Sequence, residues 1–361
     1  MRNLAFMVKT LEGGGAQRVM NTLSVEFIKR GIAVHIITMF YAEGYRFLPE
    51  VGTLNLDISR ENRSVSYNRE KMEMLKEYIR AHEIDTLIIG STSAPLYEYA
   101  LFVAEEYPLR IIAQMTNAPE RSPVGAADRR RRDEVFLELL RRGDGFLFQT
   151  EYERDYFPPA IREKSAVIDN PLMQELPDVS TEPTEKLIVS AGRYDEQKNF
   201  ELLIQAFHFF VQNWPDYRLM IFGKGHMEGI YRKQIRDLNL EGSAFLLPFT
   251  IEIHEKIRNA AAFVQSSNYE GVSNMLLEAI AMGIPVISTD CPAYGARSFI
   301  RHSENGLLVP PGRGDLLAKA IEEVVSSEDY KRCACQGAAA VRRRLDVGTI
   351  VSQYIQYIDR L

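Results

Sequence analysis

Cysteine is scarce: Cys291, Cys333 and Cys335 are the only three in 361 residues. An odd count in a large chain argues against a disulfide framework and for a reducing compartment. No His or further Cys stands near Cys333 and Cys335 in sequence to complete a metal site, so helix surface or packing is the simpler reading of that pair. Long apolar runs are missing too. The longest, such as Ala260 to Val264, fall far short of the roughly 20 residues that a membrane helix needs. The N-terminal MRNLAFMVKTLEGGG lacks a signal-peptide h-region ending in a small-residue cleavage site. A cytoplasmic protein is therefore expected. There is no excess of positive charge, because the formal net charge is -6, so the chain is not built to coat nucleic acid.

What is present reads as globular. With 46% hydrophobic and 25% charged residues the chain has the material for packed cores, and its length exceeds one typical core, so two domains are expected. One segment departs from the acidic average. Arg129 to Arg132 are followed by Val135, Phe136, Leu139, Leu140, Arg141 and Arg142, the pattern of a basic amphipathic helix. Its two readings are a solvated helix face with apolar residues packed inward, and contact with an anionic membrane surface.

The periodicity repeats itself in the two halves. Leu4 to Val8 is a strand-like run, Gly13-Gly14-Gly15 a turn, Val19, Leu23 and Phe27 a helical face stopped at Gly31, and Val34 to Met39 another strand. Thr86 to Ile89, Arg110 to Ala113 and Gly145 to Gln149 continue the series. A polar stretch from Val179 to Lys186 reads as a linker. The pattern then restarts with Leu187 to Ala191 as strand, Phe200 to Phe210 as helix, and Arg218 to Phe222 as strand running into Gly223. Phe245 to Leu247, Ala262 to Gln265, Pro285 to Ser288 and Leu307 to Val309 follow. The fold class is α/β, two doubly wound Rossmann-like domains in tandem. Their expected spans are 1–172 and 173–340, with a helix in 341–361 packing back on the first. In such sheets ligands bind beyond the carboxyl ends of the strands, so a cleft between the domains is the expected site.

Three loops converge on a phosphorylated ligand. Gly13 to Gly15 join strand to helix, where bare backbone amides approach an anion. The glycines are contiguous, without the G-x-G-x-x-G spacing of a dinucleotide site, so NAD is disfavoured. Arg193 and Lys198, in GRYDEQKN at a strand end, are two cations suited to a diphosphate or, alternatively, two surface charges. The stretch NYEGVSNMLLEAIAMGIPVIS, Asn268 to Ser288, carries Glu270 and Glu278 on either side of a turn and helix start. Gly271, Val272, Ser273 and Asn274 offer backbone amides there. Glu278 could accept both hydroxyls of a ribose, with Glu270 beside the sugar. The plainer alternative pairs Glu278 with a neighbouring Arg or Lys.

Taken in order and spacing, E-G-V-S-N-x-L-L-E-A-x-A-x-G-x-P-V-I-S with its E-x7-E, G-R-x-x-x-x-K-N, and G-G-G-A-x-R resemble the retaining nucleotide-sugar glycosyltransferases of glycosyltransferase family 4. The similarity runs from Leu4 to about Leu316 and is weakest between Tyr41 and Glu83. The resemblance implies a GT-B fold with the two domains facing a central cleft, no metal and no cofactor, and a UDP-sugar as donor substrate. Arg193 and Lys198 would grip the diphosphate, Glu278 the ribose, and Glu270 with the amides of Gly271 to Asn274 the donor sugar. Gly14, Gly15 and Gly223 would lie at the donor. The sequence also lacks the Asp-x-Asp pair expected of the other main glycosyltransferase fold.

The implied reaction is front-face transfer of a hexose or N-acetylhexosamine with retention. The departing phosphate would help remove the acceptor proton while Arg193 and Lys198 stabilise its charge. The acceptor would be a glycan or a polyprenyl-diphosphate-linked glycan, giving residues 129–142 a use at the inner face of the cytoplasmic membrane. One loop departs from the family: Gln114-Met115-Thr116-Asn117-Ala118-Pro119 lacks the His often found before Pro, leaving Asn117 as the contact candidate. Ser91 to Ser93 suit acceptor binding and a helix cap equally. Two carboxylates are also what a glycoside hydrolase needs. The runner-up activities are a nucleotide-sugar 2-epimerase on the same fold and an inactive sugar-nucleotide-binding subunit.

Overall fold

The computed structural model describes residues 3–11, 15–41, 47–58, 68–90, 94–115, 137–138, 140–173, 175–180 and 184–361. The chain forms two compact units, residues 1–171 with 347–361, and residues 172–346.

In the first unit the strands are β1 (Asn3–Val8), β2 (Ala33–Thr38), β3 (Gly52–Asn55), β4 (Thr86–Ile89), β5 (Arg110–Gln114), β6 (Gly145–Phe148) and β7 (Ser165–Val167). They lie in the order β3-β2-β1-β4-β5-β6-β7, every pairing parallel. Successive side chains face opposite sides of the sheet and both sides are covered, so the strands read as continuous apolar runs. Ala5, Met7, Leu87, Ile89 and Phe146 pack on one side against α2 (Arg69–Ala81) and α3 (Ala94–Ala104). Leu4, Phe6, Val8, Ile36, Ile88 and Leu147 pack on the other against α1 (Gly15–Lys29) and the helix Val347–Arg360. That helix buries Ile350, Val351, Tyr354, Tyr357 and Ile358. The Tyr357 hydroxyl accepts from the Phe146 amide at 2.7 Å and donates to the Lys164 carbonyl. After β6 come the short helices α4 (Glu151–Tyr156) and α5 (Pro159–Arg162).

The second unit begins with β8 (Glu185–Arg193), α6 (Phe200–Val211), β9 (Arg218–Lys224), α7 (Glu228–Asp237) and β10 (Ala244–Pro248). It continues with α8 (Ile253–Ile257), β11 (Ala260–Gln265), α9 (Asn274–Ala281), β12 (Val286–Thr289), β13 (Gly306–Val309), α10 (Gly314–Val325) and α11 (Glu328–Arg344). Val347–Arg360 is thus α12. The sheet order is β10-β9-β8-β11-β12-β13, all parallel. Connection direction reverses between β8 and β11, and beyond the carboxyl ends of strands at such a switch point the loops diverge and leave room for a ligand. Ile188, Leu219, Ile221 and Val264 face α6, α7 and α10. Leu187, Val189, Phe263 and Val286 face α8 and α9.

Two edge strands escape the periodicity. β3 (GTLN) and β7 (SAV) are short and only half-buried, so they carry little apolar signal. The expected linker through Lys186 overruns the structure, because β8 begins at Glu185. Among the described residues no helix is long and apolar enough to cross a membrane.

Candidate functional site

The loop after β8 and the loop after β11 are sewn together at the switch point of the second sheet. The Asn268 amide donates to the Gln197 carbonyl at 2.8 Å, and the Asn268 side chain donates to the Glu196 carbonyl at 2.7 Å. Asn199 Nδ2 donates to Asn268 Oδ1 at 2.9 Å, and Ser266 Oγ to the Lys198 carbonyl at 3.0 Å. Asn199 adopts φ +46°, a conformation open to Asn because its short side chain bonds locally; here that side chain caps α6 through the Leu202 amide. Sequence order thus becomes a fixed platform: the cap that starts α6 also sets the carbonyls that hold the second loop.

Two carboxylates sit on this platform and each has its own partner. Glu270, with 7% exposure, is in ion-pair contact with Lys198 Nζ and accepts from Ser267 Oγ at 3.0 Å. The Lys198 stem lies over Gly192, where a Cβ would stand 3.0 Å from Lys198 Cε. Glu278, with 3% exposure, is held from α8, where His254 Nε2 lies 2.7 Å from Glu278 Oε2. His254 is itself buried. Burying a carboxylate is costly unless donors meet it, and these two are met by different groups. A histidine is thus a partner of Glu278, one that was not considered from sequence beside Arg and Lys. His254 left one faint trace there, a polar residue inside the apolar i, i+4 pair Ile253 and Ile257.

Arg193 takes a different position. Its side chain is 66% exposed, with Asp195 Oδ2 at 3.2 Å and a bond to Gln197 Oε1 at 2.9 Å. Of the two expected phosphate cations, Lys198 is sequestered with Glu270 and Arg193 is open to solvent.

A third loop walls the Glu270 side. Thr289 Oγ1 donates to the Ser267 carbonyl at 2.6 Å, and the Glu270 amide to the Pro292 carbonyl at 3.4 Å. Ala293 and Tyr294 are consecutive left-handed residues, φ +75° and +51°, and they turn the chain so that Gly295 meets Gly271 backbone to backbone. A Cβ on Gly295 would stand 1.9 Å from the Gly271 carbonyl oxygen. Cys291 is enclosed in this wall. Burial, and then the Glu270 charge, push its thiol up to about 11, so it is protonated and no nucleophile at neutral pH. Ser273 is the N-cap of α9 without a side-chain cap bond, and Gly271, Val272 and Asn274 adjoin it.

Gly223 has a packing reason to be glycine that sequence did not give: a Cβ there would stand 1.9 Å from the Gly192 carbonyl oxygen. In the first unit Gly15 opens α1. Gly13, Gly14, Ser91 to Ser93, Asn117 and Arg129 to Arg132 lie outside the described residues. Arg141 and Arg142 are exposed and lie beside Glu138 and Glu105, while Leu137 and Leu140 pack into the core.

Residues 173–340, which hold all of this platform, match the family described as glycosyl transferases group 1. Among curated relatives, the lipopolysaccharide core biosynthesis glycosyltransferase LpsE of Rhizobium meliloti is 30% identical over 173 residues, 48% of this chain and 49% of that protein. The N-acetylgalactosamine-N,N'-diacetylbacillosaminyl-diphospho-undecaprenol 4-alpha-N-acetylgalactosaminyltransferase of Campylobacter jejuni is 28% identical over 174 residues, 48% of this chain and 47% of that protein. The chain thus spans about half the length of these relatives. Both units together resemble Anabaena HepE in its crystal structure with UDP and glucose, with TM-score 0.82, 18% identity and full coverage of both chains. The fold is GT-B, two Rossmann-like α/β domains.

Proposed function

We propose that the chain is a retaining glycosyltransferase moving a hexose or N-acetylhexosamine from a UDP-sugar to a glycan or polyprenyl-diphosphate-linked acceptor. The reading rests on one observation: a group 1 domain whose switch-point loops, with the helix α9 that follows them, hold two cations and two separately partnered carboxylates, Arg193, Lys198, Glu270 and Glu278. UDP as the nucleotide is supported by the UDP in the HepE complex, and a lipid-linked acceptor by the name of the Campylobacter relative.

In this reading Glu278 receives the ribose hydroxyls and the diphosphate lies against the start of α9. Arg193 meets the phosphates first, because its charge is exposed and only lightly engaged. Lys198 is released from Glu270 when the more highly charged diphosphate competes for it, and Glu270 is then free to accept from a donor-sugar hydroxyl. The acceptor oxygen attacks the anomeric carbon on the face that the phosphate leaves. As the carbon–phosphate-oxygen bond breaks, the departing phosphate takes the acceptor proton, and both cations stabilise its growing charge. No enzyme nucleophile, metal or cofactor takes part. The two cations Arg193 and Lys198 beside the carboxylates, at a helix start suited to phosphates, disfavour a hydrolase, whose substrate carries no diphosphate to engage them. Residues 129–142 would bring the chain to an anionic bilayer carrying the acceptor.

The test is a panel of UDP-, GDP- and ADP-sugars assayed for nucleoside diphosphate release, with and without membrane extract. Release that depends on one donor and rises with extract is expected. Donor binding without release under every condition would sink the transferase reading.

A further inference from the structure

His254 has no part in the chemistry proposed above, yet it is 5% exposed and lies 2.7 Å from the buried Glu278 carboxylate. Its helix α8 is pinned by Ile253 and Ile257 in the same core that holds Leu276, Leu277 and Ala281 of α9. Two helices packed through a shared core thus fix the ring against the carboxylate. An imidazole N–H donates along a fixed direction in the ring plane, so it sets the rotation of the carboxylate it bonds as well as offsetting its burial.

We infer that His254 is the positioning residue for Glu278. It holds the carboxylate in the orientation that accepts the vicinal hydroxyls of a ribose, and the choice of ribonucleoside over 2′-deoxyribonucleoside diphosphate depends on it. The inference rests on the proposed ribose role of Glu278. A site built to bond a hydroxyl rejects the analogue that lacks it, because its own polar group is left unpaired. If the carboxylate is free to rotate, that rejection is lost while contacts to base and phosphates remain.

The experiment is calorimetric titration of the full chain with UDP, GDP and ADP, followed by the 2′-deoxy counterpart of the tightest binder, on wild type, H254L, H254N, H254Q and E278Q. Wild type is expected to prefer the ribonucleotide by at least roughly tenfold. H254L and H254N should lose most of that preference, mainly through weaker ribonucleotide binding. H254Q, whose amide reaches the Nε2 position, should keep it. Melting curves establish that each variant is folded, and H254N serves if H254L is not. Equal weakening of both nucleotides in H254L and H254N, with the preference intact, overturns the inference. An unchanged preference in E278Q overturns the ribose role itself, and binding of none of the three diphosphates overturns the donor reading.

Discussion

Glu153 is a buried carboxyl whose replacement by Gln should stabilise the first unit in a defined pH window. It is the third residue of α4 and completes a capping box: Thr150 Oγ1 accepts from the Glu153 amide at 3.1 Å, while Glu153 Oε2 accepts from the Gln149 and Thr150 amides at 2.9 and 3.2 Å. The other oxygen, Oε1, is buried without a hydrogen-bond partner among the described residues. Burial outweighs the two amide bonds and raises the carboxyl from 4.5 to about 7. A tenfold change in proton affinity is about 1.4 kcal/mol, so ionised Glu153 costs the fold roughly 3 kcal/mol at alkaline pH. The folded state binds the proton more tightly than the unfolded state. Stability from this group is therefore complete below about 4.5 and is lost as pH rises through about 7. Glu153→Gln keeps the accepting oxygen and removes the charge. Urea unfolding should give similar stabilities for the two proteins at pH 5 and a clear advantage to the variant at pH 8. The one tryptophan, Trp214, lies in the second unit, so amide exchange across β6 and α4 is the suitable readout. An identical difference at both pH values, or a variant weaker at pH 8, would refute the assigned burial cost.

Three further outcomes are expected. Lys198→Met strands Glu270, a buried charge, and should lower stability by about 3 kcal/mol; adding Glu270→Gln should recover part of that loss in denaturant titrations, and simple additivity would argue against the pair. Arg193→Ala removes a mostly exposed side chain, so stability should stay within about 0.5 kcal/mol while turnover falls at least roughly tenfold, about 1.4 kcal/mol of transition-state stabilisation. Wild-type turnover would remove Arg193 from the mechanism. Gly295→Ala forces two backbones apart where no rotamer can yield; a loss of about 2 kcal/mol and weaker nucleoside diphosphate binding are expected, and a neutral effect would mean that the Ala293–Gly295 wall is pliant.

The parallel sheets were readable because their inner strands are buried on both faces. Ile88, Ile112, Ile188 and Val264 each stand in an unbroken apolar run, whereas β3 and β7, half-buried at an edge, do not. Glu270, Glu278, Arg193 and Lys198 stood out because charged residues beside strand ends and turns require partners. Which partner each has was not legible. Lys198 and Glu270 are 72 residues apart, and His254 and Glu278 are joined across two helices, so both pairings follow from tertiary packing. Gly223, expected at the donor, also has a packing reason that sequence did not carry: as a residue of β9 it is required to be glycine by the backbone of the neighbouring strand β8.

Helix α12 completes the first sheet from a remote part of the chain, and this has a consequence for synthesis. Tyr357 bonds the Phe146 amide across 211 residues, and the whole second unit lies between them. At about 5 to 20 residues per second the ribosome needs roughly 10 to 40 s to make that interval. For that time the face carrying Leu4, Phe6 and Ile36 lacks the helix that shields it, while the second unit, continuous in sequence, can already close. The nascent first unit thus waits longest for its full core, and the second is the half able to mature first.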